Sequence, residues 1–159
     1  MTDNNNGKSF PAEFPVGVPP KGAREENIAV YRICRTGAVE PQSFLPTYLE
    51  PATKENSDAS HDCGYYSMST FEEEKEARKT LRFLRKYNPP AILSKGATAP
   101  ECGWVLRDRE MPDIEELQEC IRDKNIKKLR KSSHIHWWLY EGAEPHLFFQ
   151  SIEEKEEST

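Results

Sequence analysis

The chain has 159 residues, 36% of them hydrophobic and 31% charged, with 27 acidic against 22 basic side chains and a net charge of −5. That length suits one core of ordinary size, the lean apolar share leaves part of the chain outside it, and the acidic balance does not suit a nucleic-acid backbone as partner. No apolar run is long enough for a membrane span, and the start MTDNNNGKSFPAEF lacks a secretory pattern, so a cytoplasmic protein with free thiols at Cys34, Cys63, Cys102 and Cys120 is expected.

Residues 1–26 mix Asn, Gly, Pro and Lys with scattered Phe10, Phe14, Val16 and Val18 and read as a flexible leader. "IAVYRIC" (28–34) has the β-branched and aromatic density of a strand, and "GYYSMS" (64–69) reads as a second. Between them Phe44, Leu45, Tyr48 and Leu49 are spaced for one helical turn, followed by a polar loop. Ser69 with Glu72 forms a capping box, so a helix is expected from about Thr70. Ala77, Leu81, Leu84 and Tyr87 give it an apolar stripe, and "NPP" (88–90) ends it. Its acids lead and its bases follow, as the macrodipole favours.

"AILSKGAT" (91–98) and "GWVLRD" (103–108) read as two further strands, and Asp113 with Glu116 opens a second helix carrying Ile114, Leu117 and Ile121. "HIHWWLY" (134–140) alternates Ile135, Trp137 and Leu139 against His134, His136, Trp138 and Tyr140. After "EGAEP", "HLFFQ" (146–150) is expected to return beside it as a hairpin. The expectation is an α+β fold: a single domain over 27–150, a mostly antiparallel sheet, two main helices, an aromatic C-terminal hairpin, and an acidic disordered tail over 151–159.

Arg32 is the residue that raises a functional question. Period two puts it on one face with Ile28, Val30 and Cys34, where a cation needs an acid or a phosphate. The order of an arginine on the first strand, a long loop, a strand ending Tyr65-Tyr66-Ser67-Met68-Ser69-Thr70 and a late glutamate resembles the ADP-ribosyltransferase superfamily, including RES-domain NAD-degrading proteins. The resemblance implies NAD as substrate and cleavage of the nicotinamide–ribose bond. It implies Arg32 for the phosphates, Ser67 with Ser69 or Thr70 for the pocket, and Glu144 or Glu141 for the ribose. The Gly-x-Arg-Trp stretch of RES domains is absent, and "EGAEP" is not the Glu-x-Glu of arginine-specific transferases.

Other classes compete with that reading. His134 and His136 share a strand face and form a candidate acid/base pair. With His61 and Cys63 they lack the paired spacing of zinc sites, so no metal is expected. The alternative to an enzyme is a non-catalytic binding module or inhibitor that meets a protein partner through Trp137, Trp138, Tyr140, Phe148 and Phe149. In a chain lean in Leu, Ile and Val, the same aromatics equally suit the core.

Overall fold

A computed structural model describes residues 8–50, 63–110 and 133–152. Six strands form one antiparallel sheet: β1 (Ala29–Cys34), β2 (Met68–Phe71), β3 (Ile92–Ala97), β4 (Gly103–Arg107), β5 (His134–Leu139) and β6 (Phe149–Ser151), in the order β4-β5-β2-β1-β3-β6. One helix, α1 (Glu74–Leu84), and several short 3-10 turns complete the described α+β architecture. The second expected helix, over 113–125, lies outside the described residues.

Alternation along each strand sorts the side chains onto two covered faces. Val30, Cys34, Met68, Val105, Ile135, Trp137 and Leu139 share one cluster with Phe44 and Phe149. Ile33 and Leu93 face α1, which buries Ala77 and Leu81 against them. Each fully buried indole, Trp137 and Trp138, removes about 150–250 Å² from water, on the order of 4–6 kcal/mol. Cys34 and Cys102 are free and buried, packing as small apolar residues.

Four expectations change in three dimensions. The segment read as a leader outside the domain packs on it from residue 8 onward. Phe10, Phe14 and Val18 cover Leu106 and Trp138, and Arg24 pairs with Val105 along the edge of β4. The capping box does not form: Ser69 lies within β2, Glu72 pairs with Arg107, and Ser133 serves the helix start, its hydroxyl donating to Glu76 at 2.7 Å. Sheet pairing of Ser69 opposite His136 outcompetes capping there. The helix ends at Leu84, leaving Tyr87 exposed.

The aromatic hairpin also does not form. β5 already has β4 and β2 on its two edges, so the chain after Tyr140 crosses under Phe44 and adds β6 beside β3, at the far edge. Trp137, Trp138, Tyr140 and Phe149 are consequently core residues, and of the five expected to meet a partner only Phe148 is exposed. Among the described residues no helix is long and apolar enough to cross a membrane.

β6 reaches β3 closely because residue 96 has no side chain. A Cβ there would run into the carbonyl of Phe148 and the ring of Phe149. Gly96→Ala is expected to cost about 1–3 kcal/mol, as overpacking does, lowering the urea midpoint. Lys95→Ala at the neighbouring exposed position is expected to stay within about 0.5 kcal/mol.

Candidate functional site

Arg32 is buried, and its guanidinium is occupied by its own chain. Nε donates to the carbonyl of Ser43 at 3.0 Å, Nη1 to that of Ser69 at 2.9 Å, and Nη2 to that of Leu45 at 3.4 Å and to Glu50 Oε2 at 3.0 Å. Burial lowers the Arg32 pKa, and Glu50 opposes that shift. Glu50 is shared with Arg35 at 3.4 Å. The fork thus fastens residues 43–50 to β1 and β2, a use that suits its planar set of donors.

The fastened segment forms one wall of a cavity of about 370 Å³. Phe44, Leu45, Pro46 and Tyr48 face Phe14 from the N-terminal segment and the stretch from Leu139 to His146 that leaves β5. Tyr48 lies 5.1 Å from Tyr66 and 6.2 Å from Phe14 between ring centroids. Glu13, Glu141 and Glu144 line the same space, and none of the described lining residues is Lys or Arg. Burial, then Glu13, Tyr66 and Glu141, push the Tyr48 phenol up to about 12, so it stays neutral.

A second polar group lies on the sheet face shared with α1. Leu106 pairs opposite His136 and Ser69 lies on its other side, so Asp108, just beyond β4, and Ser67, just before β2, both reach the His136 ring. Ser67 Oγ is 3.0 Å from His136 Nδ1, and His136 Nε2 is 2.6 Å from Asp108 Oδ1. Ser67 also donates to the carbonyl of Gly64 at 2.9 Å. A hydroxyl has one hydrogen, so Nδ1 carries a proton and donates to Ser67. Burial pushes the Asp108 carboxyl up, but the hydrogen bond and charge of His136 outweigh it and hold it below its ordinary value. Burial and His136 lower the neighbouring His134 to about 3, leaving it neutral.

The serine–histidine–aspartate order invites comparison with a nucleophilic relay, but Ser67 is 0% exposed and offers a substrate no approach. The residues singled out in the sequence therefore divide. Arg32 touches Ser69 only through its carbonyl. Thr70 donates its hydroxyl to Ile135 within the sheet at 3.2 Å. Ser67 belongs with His136, and Glu141 and Glu144 line the cavity, whose wall Arg32 supports from behind. His61 lies outside the described residues. Asp108 escaped the sequence reading because no spacing links it to the histidines. Its only signal was a charge at the end of an apolar strand.

Removing the fork takes this donor away from three carbonyls and from Glu50, which retains Arg35. Arg32→Ala is expected to destabilise the fold by about 3–5 kcal/mol and to speed amide exchange across residues 43–50, with Arg32→Lys recovering only part because an ammonium lacks the planar fork. Unchanged stability and exchange in Arg32→Ala would contradict the latch. Compared with known proteins, the chain matches no family model, no curated protein and no solved structure.

Proposed function

We propose that the protein is a non-catalytic binding module whose cavity receives a basic side chain of a protein partner. The observation that carries this reading is the lining: aromatic walls, three carboxylates and no lysine or arginine. An aliphatic stem capped by an ammonium or guanidinium suits such walls, its methylenes against Phe14, Tyr48 and Phe44 and its charge beside Glu13, Glu141 and Glu144. The net charge of −5 adds a general attraction for basic partners. A dinucleotide diphosphate, by contrast, needs cations, and Arg32 spends its donors on Ser43, Leu45, Ser69 and Glu50. The partner-contact role thereby moves from the buried tryptophans to the cavity. Its volume is at the small end of ligand pockets, which run to roughly 300–1,000 Å³, in keeping with one side chain.

Fluorescence anisotropy with short labelled peptides tests this, using lysine-rich, arginine-rich and matched citrulline or glutamate sequences. The basic peptides are expected to bind, with affinity falling as salt rises. Glu141→Gln combined with Glu144→Gln is expected to weaken binding about tenfold, roughly 1.4 kcal/mol, at unchanged melting temperature because both side chains are exposed. Incubation with NAD in parallel is expected to release no nicotinamide. Release that Glu144→Gln abolishes, with no peptide binding, would overturn the proposal in favour of NAD cleavage.

A further inference from the structure

Two histidines separated by one residue on a strand share a face, and His134 and His136 on β5 have ring centroids 4.5 Å apart. The register of β4 against β5 brings Asp108 to the same face, and one donor atom from each of the three residues lies within 4.8 Å of the others. Asp108 and His136 are both less than a tenth exposed. Two nitrogens and a carboxylate oxygen converging in a shielded place are the donor set of a transition-metal site.

Two further observations point to a cation there. The second carboxylate oxygen of Asp108, Oδ2, is buried and has no hydrogen-bond partner among the described residues, a strongly unfavourable state for an anion unless a positive charge compensates it. His136 is also already oriented as a ligand. Its Nδ1–H is committed to Ser67, which passes a hydrogen bond on to the carbonyl of Gly64. Nε2 is thus left to face Asp108 Oδ1 at 2.6 Å. That contact has the length of a hydrogen bond, and a metal ion would take the place of the hydrogen between the two atoms. Tying the far ring nitrogen to an outer partner is how metal-bound imidazoles are held and tuned.

We infer that Asp108, His134 and His136 bind one divalent transition-metal ion, with Ser67 as a positioning residue that orients His136. Zinc is the ion the donor set favours: nitrogen ligands disfavour calcium and magnesium, and no thiolate is described in the group to select copper(I). Bonds of about 2.0–2.1 Å in a tetrahedral arrangement separate ligand atoms by roughly 3.3 Å. The His136–Asp108 contact therefore opens by a fraction of an ångström while His134 draws in. Oδ2 of Asp108 or a solvent molecule supplies the fourth position. Such an ion would clip the end of β4 to β5 and, through Ser67, to the start of β2. This inference is independent of the basic-ligand reading of the cavity.

The test uses the full chain, stripped with a chelator, dialysed and titrated with zinc sulfate or cobalt chloride. Elemental analysis is expected to find one zinc per chain. Cobalt is expected to give the visible absorption of a tetrahedral nitrogen–oxygen site, lost when zinc displaces it. Zinc is expected to raise the melting temperature in a concentration-dependent way, since the unfolded chain has no such site. Asp108→Asn and His134→Gln are expected to abolish saturable binding, and Ser67→Ala to keep the stoichiometry while lowering affinity about 10–100-fold. If a variant fails to fold, the cobalt spectrum of the natural sequence still decides. No cobalt spectrum and no zinc-dependent melting shift in the natural sequence, with NMR shifts reporting both ring nitrogens of His136 protonated, would overturn the inference. A proton would then be the cation between His136 and Asp108.

Discussion

A guanidinium taken out of water cannot stay unpaired, and much of this molecule is arranged around meeting that demand for Arg32. Three carbonyls and one carboxylate converge on it, three of these four acceptors lying between residues 43 and 50. The cost of burying the charge is offset only if they all stay in place. That requirement holds a segment with little regular structure of its own, only the short turns Pro41–Ser43 and Thr47–Leu49. Phe44 is thereby placed in the core beneath the strands, and Leu45, Pro46, Tyr48 and Leu49 line the cavity. An arginine that first reads as a ligand-binding residue shapes a ligand-binding wall from the inside.

The two polar regions differ in what water can reach. Around the cavity, Glu141 and Glu144 are exposed, so their charges remain hydrated and available to a mobile cation, and their effect is sensitive to salt. On the sheet face that carries Trp138, Asp108 and His136 are enclosed, where each hydrogen bond constrains the next and an unmatched charge is costly. Exposed acids suit reversible recognition, whereas the enclosed group suits a fixed partner. The two share no residue.

Both regions depend on pairings between segments far apart in the chain. Asp108 meets His136 across 28 positions and Ser67 meets it across 69. Each contact follows from β5 lying between β4 and β2. That central place also explains the tryptophans: Trp137 and Trp138 point to opposite faces, and both faces are covered, the first by the cluster around Phe44 and the second by Phe10 and Phe14. A strand rich in aromatic and imidazole groups on both sides is thus what a two-sided core requires at its centre.

Local physical chemistry alone determined a good deal. Period-two alternation predicted the faces of β1 and β5, and the Ala77, Leu81 and Leu84 spacing predicted the buried side of α1, because these depend only on backbone geometry and the avoidance of water. The strands near 28–34, 91–98, 103–108 and 134–140 were legible for the same reason. The stretch read as a strand at 64–69 instead holds a 3-10 turn over Cys63–Tyr66, and the strand itself runs over Met68–Phe71. Which strands would be neighbours was not legible. The hairpin expected from β5 and β6 gave way because both edges of β5 were taken, and the cap expected at Ser69 gave way to a sheet pair. Whether Arg32 would meet solvent, phosphate or its own loop, and whether Asp108 would meet two histidines, depended on contacts between distant segments. Propensity and spacing carry no term for such contacts, so only the tertiary structure could decide them.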